Sequence, residues 1–378
     1  MPSRIPGFIS RLRKNVQTDE IEDLAVTEAK LATAAAAKLN TKVGNFLDNG
    51  DFQIWQRGST IHAGSTFPNN DAGVCADRWI MLTQGNDRVD FNRTDIAAGT
   101  QPIETRYHMK MLTVAANEKS GIFQIIEGAQ SKVLMQGAAD GLFTLSFWAK
   151  VNNTRIELIR YGVMAWDGTE DTFSTSLDPI NTWESAGTQQ GLKTDWTWRY
   201  TATSAPTTGW VKYTLVGDLQ SNEKNLGVFI GIDSSTFNAG DSLDIAQVQL
   251  EAGGSAGDYR HRSFQEELLA CKRHFSKTFD YDVAPAQNAG TGTGELLAVA
   301  NGADLVFQFD HGPMAKVQLG SSVVTYCPNA ATANAERLDG GVDEPIASIH
   351  DGTNQACLYA TSAPADAYSI HVTVQTFW

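Results

Sequence analysis

The chain has 378 residues, 42% of them hydrophobic and 19% charged, the balance of a folded protein with sizeable cores and not of a disordered polyelectrolyte. Its net charge of −14 argues against a nucleic-acid groove, which needs concentrated Lys and Arg. No charge-free stretch approaches the ~20 apolar residues of a membrane span, and the first residues lack a secretory-leader pattern, so neither membrane insertion nor export is expected.

The four cysteines, Cys75, Cys271, Cys327 and Cys357, lie far apart without a CxxC pair, and the seven histidines form no HExxH-like spacing. This usage fits neither a disulfide scaffold nor a zinc knuckle, and it suits a reducing compartment. Residues 1–16 carry Arg4, Arg11, Arg13 and Lys14 and no acid, a charge of +4. Attachment to an acidic protein surface, a short nucleic-acid arm and a frayed terminus all fit that start.

From Thr18 to Val43 the composition shifts to Ala, Leu, Glu and Lys, which favour helix. Ile21, Leu24, Leu31 and Ala35 follow a heptad that Glu28 interrupts. So small and Ala-rich a helix buries little surface alone; it is expected to pack against copies of itself, the alternative being a solvated linker.

Between Asn45 and His261 the pattern has period two. Phe143, Leu145 and Phe147 alternate with Thr144, Ser146 and Trp148; Val211, Tyr213 and Leu215 alternate with Lys212 and Thr214; Leu226, Val228, Ile230 and Ile232 form a further set. In Asp244–Leu250 the phase slips between Ile245 and Val248, which predicts a bulge or a strand covered on both faces. Short strands without intervening helices predict a two-sheet sandwich, by preference a jelly roll. Arg262–Lys277 then reads as a helix with an apolar stripe of Phe264, Leu268, Cys271 and Phe275 and a capping box at Ser263 and Glu266. Beyond it, strands are predicted at 305–309, 316–319, 323–326 and 368–374, in a region where ten acids face Lys316 and Arg337, a net −8.

Several segments together resemble tailed-bacteriophage and prophage fibre proteins, of tail or head. They are Asn45–Gly58 (NFLDNGDFQIWQRG), Ala76–Trp79 (ADRW), Leu145–Lys150, Asp244–Gly253, Arg262–Leu268 and Cys271–Phe275. Pro313-Met314 and Ile370–Thr373 are similar to the family's C-terminal pattern. The resemblance implies a mainly β virion protein, assembled in the host cytoplasm as a homotrimer. Its parts would be an N-terminal virion anchor and trimerisation helix over 1–44, a jelly-roll carbohydrate-binding-like domain over 45–261, a linking helix over 262–280 and a C-terminal β-sandwich domain over 281–378. Partners implied are the chain itself, other virion proteins through the N-terminus, and host surface glycans. Unlike long tail fibres, the chain is not expected to carry a large docking domain at its start.

Sugar recognition needs flat aromatic faces with a few directional polar groups. Trp196, Trp198 and Tyr200 alternate with Thr197 and Arg199 on one predicted strand, and Trp183 and Trp166 are added as platform residues; the other reading places these rings in the sandwich core. Trp55, Trp79 and Trp148 are read as core. No cofactor is expected, although Asp48, Asp51, Asp244 and Glu251 lie where jelly rolls of this kind often hold a structural calcium, which needs six to eight converging oxygens. A depolymerase would need two carboxylates across the scissile bond; Glu127, Glu170 with Asp171, and Asp343 with Glu344 can be nominated, but sequence neighbours are not spatial pairs. The chain is therefore expected to bind and not to catalyse. A non-receptor connector or decoration protein is the alternative, with polysaccharide depolymerisation behind it.

Overall fold

The computed structural model describes residues 44–376 apart from 63–71, 86–88, 98–104, 138–140, 174–176, 221, 301, 303, 313–320, 352–354 and 361–362. The expected anchor helix, with Ile21, Leu24, Leu31 and Ala35, lies outside the described residues, as do Pro313-Met314 and the strand expected at 316–319.

In chain order the first strands are β1 (Thr60–His62), β2 (Ala72–Val74), β3 (Ile80–Thr83), β4 (Val89–Asp95), β5 (Tyr107–Thr113) and β6 (Ser120–Ile126). Helix α1 (Gly128–Gly137) follows, then β7 (Leu142–Val151), β8 (Ile159–Trp166), β9 (Ile180–Thr182) and β10 (Gly191–Leu192). The long strands β11 (Trp196–Ser204), β12 (Val211–Asp218), β13 (Asn225–Ile232) and β14 (Ser242–Ala252) complete this part. Two six-stranded antiparallel sheets result: β1-β4-β5-β14-β7-β12, called sheet one, and β11-β8-β13-β6-β3-β2, called sheet two. Their facing sides close over Phe91, Met109, Met111, Phe143, Phe147, Val163, Val228, Ile245 and Leu250, all fully buried. Trp55 and Trp79 are buried here as expected.

The phase slip in β14 has a clear cause. Ser242–Ile245 pair with β5; the register against β7 then shifts between Ala246 and Gln249, with Gln247 at φ +50°. Beyond the bulge the freed edge takes residues 45–50 as its partner. Asn45 Nδ2 donates to Val248 O at 2.9 Å, Val248 N to Gly50 O at 2.8 Å, and Phe46 N to Leu250 O at 3.0 Å. A Cβ on Gly50 would stand 2.1 Å from Val248 O, so only glycine allows this approach. All of β14 is buried, so both predicted outcomes, a bulge and two covered faces, hold at once.

Helix α2 (Phe264–Lys272) begins with the expected capping box, Ser263 and Glu266 bonding reciprocally. It is shorter than the sequence pattern, because Phe275–Lys277 (β15) leaves the helix to pair with the last strand. The expected stripe holds only in part, with Cys271 and Phe275 buried. Glu267 and Cys271 on the helix and His274 after it face inward, while Phe264 is exposed and packs edge-on against Tyr281.

The C-terminal strands are β16 (Leu296–Ala300), β17 (Leu305–Asp310), β18 (Ser321–Tyr326), β19 (Glu336–Arg337), β20 (Ser348–Asp351), β21 (Gln355–Ala360) and β22 (Asp366–Thr376). β22 is the hub, pairing with β15, β16, β18 and β19, and a second sheet of β17-β21-β20 packs its Phe307 and Leu358 against Tyr368, Ile370 and Val372. Among the described residues no helix is long and apolar enough to cross a membrane.

Candidate functional site

The five aromatic residues expected to form a sugar platform belong to sheet two and its outer cover. Trp166 and Trp196, 3% and 8% exposed, are buried with Phe123, Phe173 and Ile180 in a small second core, against which Leu177, Trp183, Leu192 and Trp198 pack. Trp196 stacks on Phe173 with ring centres 5.7 Å apart. Trp183 and Trp198 are half-buried at the rim against Phe229, and Trp198 Nε1 donates to Gln190 O at 3.0 Å. Tyr200 does not share their face. The register of β11 against β8 shifts between Trp198 and Tyr200, so Tyr200 turns toward the inter-sheet core. There it lies edge-on to Phe143 and donates its hydroxyl to Asp218. Alternation read through an unseen bulge had put all three rings together.

Another pair of tryptophans flanks the outer face of sheet one. On β7, Phe143, Leu145, Phe147 and Ala149 enter the core, so Thr144, Ser146, Trp148 and Lys150 point outward; Trp148 is half-buried there and not in the core. The chain from Gly253 to Arg260 crosses and covers part of this face. Gly253 O accepts from Thr144 Oγ1 at 2.6 Å, Glu251 Oε2 takes Gly257 N at 2.8 Å, and Gln249 Oε1 takes Arg260 N at 2.9 Å. Beyond that cover the face opens into a groove of about 470 Å³, lined by Thr94, His108, Lys110, Lys150, Trp210 and Asp244 among others.

Strand register sets the groove's floor. Asn92, Lys110, Asp244 and Lys150 are successive cross-strand neighbours on β4, β5, β14 and β7. Asp244 Oδ2 lies 3.5 Å from His108 Nε2 and 3.7 Å from Lys150 Nζ, and its Oδ1 accepts from Ser242 at 3.3 Å. The Lys150 ammonium sits 5.0 Å over the Trp210 ring, and the His108 ring meets it edge-on at 5.4 Å. The buried His108 Nδ1 has no hydrogen-bond partner among the described residues. The half-buried Lys110 side chain has no ion pair or hydrogen bond among them either. One aromatic wall with a few convergent polar groups in a concave face can seat a small polar molecule that also has apolar C–H faces. Sequence reasoning missed Trp210, although the signal existed: extending the alternation of Val211–Leu215 back one residue places it on the side of Lys212 and Thr214.

The carboxylates considered for calcium do not converge. Asp48 is bound by Arg78 Nε at 3.1 Å and Arg262 Nη1 at 2.8 Å, Asp51 lies 3.9 Å from His261, Asp244 is in the groove, and Glu251 sits under the Gly253–Arg260 cover. Among the described residues no group of three or more His, Cys, Asp or Glu is placed to hold a metal ion. The acids nominated for cleavage have other contacts: Glu127 pairs with Arg273 and His274, Glu170 with Lys132, and Asp171 accepts from Gly128 N and Asn225.

Several fibre-like segments meet elsewhere, in a buried ionic network beneath α2. Arg262 links Asp48 to Glu267, whose Oε1 accepts from Asn49 N at 2.5 Å, and Arg57 holds Asp77 at 2.7 Å. Burial pushes the Glu267 carboxyl up to about 7, against the opposing pull of Asn49 N–H and Arg262. Burial, with Arg78 nearby, holds the His274 imidazole down to about 4 despite its contact with Glu127. For Asp48 burial alone would raise the pKa, but Arg78 and Arg262 together bring it below the ordinary value. This network fastens the helix and carries no exposed reactive group.

No family model matches the chain, and no curated protein matches it. Solved structures that match part of the chain include the enzymatically active domain of tailspike protein 4 of bacteriophage CBA120, at 13% identity and a TM-score of 0.30 over 55% of this chain. The chain spans 21% of that protein's length. TmCBM61, solved with β-1,4-galactotriose, is similar at 9% identity and a TM-score of 0.28, covering 55% of this chain and 97% of its own. The Stig cyclase Fisc from Fischerella is similar to the same degree, at 10% identity and a TM-score of 0.32 over 57% of this chain and all of its own.

Proposed function

We propose that this chain is a structural fibre protein of a tailed-bacteriophage virion, and that its sandwich attaches to host-surface glycan through the groove on sheet one. The observation that carries the glycan reading is the setting of Trp210: an indole in an open groove, with Lys150, Asp244 and His108 around it and Lys110 on the floor. Rings supply C–H contact area at little entropic cost, and the charged groups supply direction. The fibre reading rests on the ordered segments from Asn45 to Phe275. On this reading the protein binds without cleaving, and weak single contacts are multiplied by three chains per fibre. Affinity electrophoresis of the full chain through host polysaccharide tests the groove. Retardation lost in Trp210→Ala, with the far-UV spectrum unchanged, is the expected result; equal retardation of both proteins would refute it.

A connector role within the particle has its own support. Leu297, Val299 and Val342 are 68%, 78% and 82% exposed on the C-terminal sandwich, as suits contact with another protein. Labelled protein that assembles on particles but never stains host cells would favour that role over attachment.

A further inference from the structure

Given the glycan reading, on which this inference rests, we infer that the groove takes an acidic polysaccharide whose sugars carry one carboxylate each. The argument is charge complementarity at fixed positions. Asp244 already has two partners, His108 and Lys150, within 3.7 Å. Lys110, its cross-strand neighbour on the other side, is held on the same face without a described partner. The second acid at the groove, Asp95, lies 3.3 Å from Arg106. With Asp95 set against Arg106, which lies outside the groove lining, the two lysines against Asp244 leave one positive charge without a carboxylate in a molecule of net −14.

A spare cation on the floor of a concave site costs desolvation unless a ligand anion reaches it, and there it focuses the local field. Lys150 rests over the Trp210 ring, so a sugar entering the groove meets an indole and an ammonium together. Lys110 lies two strands away across the sheet, about 10 Å at ordinary strand spacing, within the span of neighbouring sugars along one chain. One charge per sugar matches one spare charge; a glycerol-phosphate polymer also carries one charge per repeat, as a phosphodiester, but has no sugar ring to pack against Trp210.

The full chain is titrated by calorimetry with polygalacturonate, alginate and hyaluronate, with the carboxyl-reduced form of each, with neutral galactan and with a glycerol-phosphate polymer. Binding to at least one polyuronate is expected, weakening with added salt and falling roughly tenfold on carboxyl reduction. Lys110→Gln brings the affinity for that polyuronate down to the level of its reduced form, while Lys132→Gln on α1, remote from the groove, does not change it. Equal affinity for the native and reduced polymers, preference for galactan, or preference for the glycerol-phosphate polymer would each overturn the inference and leave the groove a glycan site. Failure to bind any of these polymers, by a chain of native circular dichroism, would overturn the glycan reading itself.

Discussion

Single side chains in this protein answer to burial more than to residue type. Glu267 and His274 are both buried within reach of Asp48 and are displaced in ways that oppose each other. Unfolded, Glu267 ionises near 4.5; folded, it keeps its proton to about 7. Between those values the folded state binds more protons, so Glu267 makes stability fall as pH rises. Unfolded, His274 takes a proton near 6.5; folded, only near 4. There the unfolded state binds more, so His274 makes stability fall as pH drops. The two slopes oppose one another from about pH 4.5 to 6.5, with Glu267 alone acting just above and His274 alone just below. Urea unfolding of Glu267→Gln across this range should show a stability difference that moves in the variant's favour up to pH 7 and then levels off. For His274→Gln, the loss of stability below pH 6.5 should be blunted. Parallel pH profiles for wild type and both variants would contradict this account. The same dominance of context hid the groove: Trp210 looks like any strand-edge aromatic until the strand beside it places Lys150 over its ring.

At the level of elements, what alternation alone dictates could be read in advance. β7, β12, β13 and the bulged β14 stand where period two placed them, and α2 starts at its capping box. Ser263→Ala should therefore cost about 1 kcal/mol in urea unfolding, since it removes the acceptor for Glu266 N; no measurable loss would show that packing alone sets the helix start. Features that depend on distant chain were not legible. Helix α1 buries little beyond Ser131 and Leu134 and has glycine at both ends, so it leaves almost no periodic trace. The bulge at Arg199 separates Tyr200 from Trp198, and one extra residue in a strand has no signature in its own sequence. Nor does the pattern of α2 reveal that a carboxyl and an imidazole face the interior, since their Arg and Glu partners lie more than a hundred residues away or outside the helix.

For the molecule as a whole, two sandwiches share one compact unit from residue 44 onward. The trimer proposed for the fibre reading is open to direct measurement: light scattering on the full chain should give a particle of three 41.0 kDa subunits, and a monomer at micromolar concentration would count against the fibre. The joint between the sandwiches is built from regular structure. β15 pairs with the final strand β22, and Lys277 Nζ donates to Gln56 O at 2.8 Å, Tyr281 O at 2.8 Å and Val283 O at 2.6 Å, tying both sides to one ammonium. Arg57 lies 3.6 Å over the Phe275 ring in the same place. A knuckle of this kind transmits torque. On the proposed glycan reading, drag on one sandwich would pass through these contacts to the other, so a tether held in the groove would feel more than the pull of a freely swivelling bead.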